Sequence, residues 1–133
     1  ARVEKSYFHS PVLEPENYTR FLIEGLAQGK NTRLPQVSFH DRFKQFMTET
    51  LPELDRGKQY RKLVFSPDGQ NNLLQANLNH NQPTLLALGP EGGWVPFELE
   101  LMTLSGFEAI TLGPWILRVE NALTAALAQL HLA

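Results

Sequence analysis

Three short apolar runs, "RKLVFS", "TLLALG" and "FEAITLG", each stop at a glycine or proline. Helical patterns precede the first, separate the last two and follow the third. Runs of about 5–6 residues have ordinary strand length, whereas an isolated helix is marginal in water below about 12–15 residues. Strands that alternate with helices specify an α/β domain with a mainly parallel sheet flanked by helices. In such sheets ligands lie outside the carboxyl ends of the strands. The loops "SPDG", "GPEGG" and "GPW" leave the three runs at that edge. Two of them follow one apolar-Leu-Gly-Pro pattern, at Ala87 to Pro90 and at Thr111 to Pro114.

The remaining segments frame that sheet. "ARVEKSYFHSPV" reads as extended chain and loop. "EPENYTRFLIEGLAQG" predicts a helix, with Tyr18, Phe21, Leu22 and Leu26 at helical spacing and Gly29 as its stop. "LPQVSF" predicts a short strand. Asp41 is the expected cap of a second helix, "RFKQFMTETL", striped by Phe43, Phe46, Met47 and Leu51, with Pro52 and Gly57 at its exit. Residues 70 to 82, rich in Asn and Gln, read as a surface helix or loop. "PFELELMTLSG" predicts a helix ended by Gly106, and "WILRVENALTAALAQLHL" a final helix. That last helix has Ile116, Val119, Leu123, Leu127 and Leu130 on one side and alanines around it. So broad an apolar face needs cover on more than one side, from its own core or from a partner in a symmetric dimer.

A chain of 133 residues suffices for one packed domain. It has no cysteine, which excludes disulfides and thiolate metal sites. No stretch approaches the roughly 18 apolar residues of a membrane span, and no signal-peptide core is visible, so the expected setting is cytoplasmic. His9, His40, His80 and His131 are scattered and suggest no metal site. The formal net charge of -2 gives no overall support for a nucleic-acid partner. The local exception is "RGKQYRK", where Arg56, Lys58, Arg61 and Lys62 surround Tyr60. Such a cluster can hold phosphates and stack a base, or it can be a solvated loop leading into a strand.

"GPEGG" lacks the Lys-Ser/Thr of a phosphate-binding loop and is not a G-x-G-x-x-G fingerprint. Glu91 would repel a phosphate and favour a ligand carrying positive charge. Gly92 and Gly93 leave room for a flat ring or a ribose against the backbone. On these residues alone the turn reads equally well as a tight strand-to-helix corner with no ligand. "LGPWILRVENA" is a Gly-Pro corner before a helix start that carries Arg118 and Glu120. At i, i+2 the two charges point to different sides of a helix, yet in an apolar segment each needs solvent or a partner.

"LALGPEGGW" followed by "GFEAITLGPWILRVENALTAAL" resembles the RsmE family of SPOUT-class RNA methyltransferases. Members typically show an apolar-Gly-Pro-Glu-Gly-Gly loop, then Gly-Phe, then Leu-Gly-Pro-Arg-Ile-Leu-Arg-Thr-Glu-Thr-Ala. A weaker third block, "LAQGKNTRLP", keeps Gln28, Arg33 and Pro35 of the family's Glu-Gln-x-x-Arg-x-x-x-Pro region. "LVFSP" stands where the family often has a His-Pro loop. The departures are Trp115 for the usual Arg, Val119 and Asn121 for threonines, Ala27 for Glu and Ser66 for His.

The resemblance implies a SPOUT fold whose C-terminal segment forms a trefoil knot. It implies methyl transfer from S-adenosylmethionine to N3 of a uridine in small-subunit ribosomal RNA. Its cofactor contacts would be Leu88, Gly89, Glu91, Gly92 and Gly93 in one loop, with Leu112, Gly113 and Leu117 in a second and Ser66 and Pro67 in a third. Arg118 would orient the uracil or stabilise charge on its oxygens, with Glu120 orienting that Arg or helping with the proton. Arg33, Gln28 and Trp115 would meet the RNA. A homodimer through the C-terminal helix region is implied, with no metal and no membrane. Family members also carry an N-terminal β-barrel that nothing here matches, so residues 1–133 are expected to form a single SPOUT-like domain lacking its first strand and helix. The other function class open to these residues is a non-catalytic cofactor- or RNA-binding dimeric module.

Overall fold

Leu63, Val64 and Phe65 are consecutive and all buried, and a strand apolar on both faces has to lie between two covering layers. The computed structural model, which describes residues 5–73 and 82–132, places them accordingly. Arg61–Phe65 (β1) is an inner strand of a four-stranded sheet with Asn71–Asn72 (β2), Thr84–Ala87 (β3) and Glu108–Thr111 (β4). The order across the sheet is β2, β4, β1, β3, and every pairing is parallel. Leu63 stands level with Leu86 on one neighbour and Glu108 on the other. The carboxyl ends of β1, β3 and β4 therefore share one edge.

The chain divides into two compact units, Arg2–Asp41 and Arg42–Ala133. The first holds two short 3-10 turns and Pro15–Gln28 (α1), where Tyr18 meets Phe39 edge-on at 5.6 Å. The second holds the sheet. Within it Phe43–Gln45 (α2), a π-helical turn at Phe46–Thr50 and Leu51–Asp55 (α3) follow one another without a gap. Pro96–Leu104 (α4) and Val119–Leu132 (α5) complete it. Leu63 and Phe65 join Leu73, Ile110 and Ala126 of α5 on one face of the sheet. Val64 joins Met47, Leu51, Met102 and Phe107 on the other, the side of α2, α3 and α4. This is the expected α/β arrangement of a parallel sheet flanked by helices.

Several local expectations give way. "LPQVSF" pairs with no strand among the described residues, and its Leu34, Val37 and Phe39 are exposed. Asp41 does not cap the next helix, because Arg42 occupies that position and makes no side-chain bond there. The helical run does not leave at Pro52. Proline lacks an N–H and crowds the preceding turn, and the wider turn just upstream, where the Leu51 N–H bonds to Phe46, carries the chain past it to Asp55. The Asn-rich segment opens with β2, and 74–81 lie outside the described residues. The last helix begins at Val119, four residues later than its apolar pattern suggested, and its packed line runs through Ala126 and Leu130. Leu123 and Leu127 of the expected stripe are exposed.

At the sheet's opposite edge the basic cluster is largely matched by acids. Arg56 pairs with Glu53, Arg61 with Glu108 and Lys62 with Asp55, and Lys58 lies over the Tyr60 ring. The Lys62 ammonium, and after it the Tyr60 amide, hold the Asp55 carboxyl below the ordinary carboxylate range. Arg61 and Lys62 thus spend their charge on acids beside the sheet, while Arg56 and Lys58 stay exposed.

Candidate functional site

The three loops at the carboxyl edge are each fixed by local bonds. After β1 the Ser66 amide donates to the Ile110 carbonyl, and the Gly69 amide turns back to the Ser66 carbonyl. Only glycine fits at 69, since a Cβ there would lie 2.4 Å from the Ile110 carbonyl carbon. After β3 the Gly93 amide donates to the Pro90 carbonyl at 2.8 Å, and Gly93 takes φ +70°, a conformation that favours glycine. Pro96 then opens α4, where the Glu98 carboxylate reaches back to the Val95 amide, as in half of a capping box. After β4 the Thr111 hydroxyl donates to the Gly113 carbonyl and accepts from the Gly113 amide.

Together the loops enclose one cavity of about 300 Å³, at the lower end of the roughly 300–1,000 Å³ found for ligand pockets. From the first loop Ser66 and Pro67 line it, and from the second Leu88, Gly89, Glu91 and Gly93. From the third come Leu112, Gly113, Trp115 and Leu117. Gly92 is absent from the lining, and its missing Cβ would meet nothing within 4 Å.

The residues expected at the substrate side stand differently. Arg118 and Glu120 alternate with the lining residues Leu117 and Val119, are exposed, and do not themselves line the cavity. The Arg118 carbonyl accepts the Ala122 amide at the start of α5, and Glu120 sits in that helix's first turn. Gln28 ends α1 and Arg33 lies in the following loop, both exposed and both in the N-terminal unit.

The lining carries two carboxylates, Asp68 and Glu91, and no Lys, Arg or His among the described residues. Such a wall favours a ligand with positive charge and disfavours a bare phosphate. Sequence reasoning missed Asp68, whose only signal was its place in the Pro-Asp-Gly turn. It also missed Trp94, which lines the cavity and donates its indole N–H to the Phe65 carbonyl at 3.1 Å. Trp115, by contrast, is 79% exposed at the rim, next to Ile116 at 88%.

A family model described as an RNA methyltransferase domain matches residues 1–131. Among curated relatives, Ribosomal RNA small subunit methyltransferase E of Treponema pallidum is 29% identical over 94% of this chain and 47% of its own length. The protein of the same name from Synechocystis is 34% identical over 87% of this chain and 38% of its own. Among solved structures, Ribosomal RNA small subunit methyltransferase E from Neisseria gonorrhoeae, bound to S-adenosyl methionine, superposes with a TM-score of 0.69. That match is 26% identical and covers 85% of this chain and 45% of the other. The chain thus spans about half or less of the length of the relatives it matches.

Proposed function

This chain belongs to the RNA methyltransferase domain family, in its RsmE branch, and on that premise we propose that its cavity binds S-adenosylmethionine for methylation of small-subunit ribosomal RNA. The observation that carries the reading is the meeting of three strand-end loops around one cavity whose charged lining groups, among the described residues, are Asp68 and Glu91. A sulfonium cofactor fits that wall in charge, and an adenosine fits its apolar residues and the bare Gly93 backbone. The solved relative from Neisseria gonorrhoeae, bound to the same cofactor, supports the assignment.

When bound, the cofactor supplies an electrophilic methyl group on sulfur. The finer proposal is that N3 of a uridine receives it: the N3–C bond forms as the C–S bond breaks, the N3 proton leaves to a base or water, and a thioether remains. Ser66, Pro67, Leu88, Gly89, Glu91, Gly93, Leu112, Gly113 and Leu117 would hold the donor in position, which is the main demand of such a transfer. Trp115 would stack the target base. Arg118 would orient the uracil or stabilise charge on its oxygens, and Glu120 would orient Arg118 or accept the proton. Arg33 and Gln28 would grip the RNA. We further propose a homodimer through α5, supported by exposed Leu123 and Leu127. A trefoil thread of the segment after β4 is also proposed, resting on the family match.

A second reading, a cofactor- or RNA-binding module without transfer, is favoured by the position of Arg118 and Glu120 outside the cavity lining. Transfer of labelled methyl from S-adenosylmethionine to 16S rRNA by the whole protein separates the two. Label on a uridine N3 supports the first reading, and cofactor binding without label in RNA supports the second.

A further inference from the structure

We propose that Trp94 is a positioning residue that pins the 88–93 loop to the end of β1, and that Gly89 is a glycine in order to seat its indole. The first observation is the bond from Trp94 Nε1 to the carbonyl of Phe65, the last residue of β1. An indole N–H away from water needs such a partner, and here it joins the loop to the central strand. The second is the space at Gly89. A Cβ built there would lie 3.1 Å from Trp94 Nε1, 3.2 Å from Cε2 and 3.4 Å from Cδ1, closer than ordinary contact. The third is Phe43 of α2, whose ring stands 6.2 Å from the indole between centroids, tilted by 47°. The indole therefore packs on both the Gly89 backbone and Phe43 of α2 while its N–H is held by β1.

This divides the labour among the loop's glycines. Gly93 is favoured by its positive φ, whereas Gly89 has ordinary φ and is crowded by its neighbour. Because the crowding atoms at Gly89 belong to a side chain, a smaller residue at 94 removes the conflict. The same contact gives Trp94 its hold on the cavity, since Phe65, Gly89 and Trp94 all line it.

The inference rests on the reading that the cavity binds S-adenosylmethionine. The test is a double-mutant cycle of Gly89→Ala and Trp94→Leu, with Trp94→Phe as the conservative variant. Each protein is read for Tm without ligand, for cofactor Kd by calorimetry and for kcat and KM in methyl transfer. Gly89→Ala is expected to weaken cofactor binding about fivefold with Trp94 present and less than twofold in the Trp94→Leu background, with the same non-additivity in ligand-free Tm. Trp94→Phe is expected to raise the cofactor KM several-fold while kcat stays within twofold. Equal effects of Gly89→Ala in both backgrounds would overturn the seating of the indole. A Trp94→Phe protein with lowered Tm but unchanged Kd and KM would reduce Trp94 to a structural residue. A wild-type chain that binds no cofactor contradicts the cavity reading and the positioning role together, while the ligand-free Tm cycle still decides the Gly89–Trp94 coupling.

Discussion

Residues 88–94 and 112–118 start alike, with Leu-Gly-Pro directly after a parallel strand, yet their tryptophans end in opposite settings. Trp94 turns inward, gives its N–H to Phe65 and packs on Gly89. Trp115 stays outside with Ile116 beside it, and the third loop is held instead by the Thr111 hydroxyl bracketing Gly113. One loop uses its aromatic residue to close the fold around a cavity. The other leaves an apolar surface at the cavity's mouth, where a base or a second chain has something to stack on. The same three-residue start thus serves two purposes, and the distance from the Gly-Pro corner to the tryptophan separates them.

The largest expected effect lies at the turn after β1, which packs on the end of β4 just before the third loop. Gly69→Ala drives a Cβ into the backbone of Ile110 and Thr111, which cannot yield as a side chain can. A loss of about 3 kcal/mol is expected from overpacking at such a site, read as a lower urea midpoint. A near-neutral result would break the view that this turn supports the edge.

Trp94→Ala and Trp115→Ala contrast the loops directly. The first is expected to lower unfolding free energy by about 2 kcal/mol, below the roughly 3–5 kcal/mol of a fully packed aromatic, because Trp94 is only half-buried. The second should stay within about 0.5 kcal/mol, as surface changes do. Equal losses would erase the distinction. In RNA methylation Trp115→Ala is expected to forfeit about 1–3 kcal/mol of stacking, seen as a KM for RNA raised some tenfold with cofactor Kd unchanged. Trp115→Phe should recover most of it.

The smallest effect lies away from both loops. Asp55 has its carboxyl depressed by Lys62 and the Tyr60 amide, so its contribution is present above an unfolded value of about 3.9 and is lost as pH falls through the lower folded value. Asp55→Asn should therefore reduce stability near neutrality, and the two stability curves should converge below about pH 4. Unchanged cofactor binding would mark it as remote from the site.

The sheet and the loops were legible because β1, β3 and β4 are short apolar runs stopped by Gly or Pro, a local signal. What failed depended on partners that sequence does not show. "LPQVSF" alternates like a strand but has no ladder to join among the described residues, so pattern alone could not make it one. Trp115 to Leu117 are apolar and, with Arg118, contiguous with α5, so they read as helix, whereas after the Gly113 corner they run as loop. The leucine stripe of α5 looked like its packing face, but small Ala126 is what lets the helix sit close to the sheet. Glycines in "GPEGG" suggested room for a ligand, and for Gly89 the occupant is the indole five residues on.

Titration of the isotope-labelled chain with S-adenosylmethionine, followed by amide NMR, tests the cavity assignment most directly. Saturable shifts are expected in 66–69, 88–93 and 112–117, with the basic segment 56–62 unmoved. Absence of any saturable shift, or shifts gathered at the opposite edge of the sheet, would contradict it.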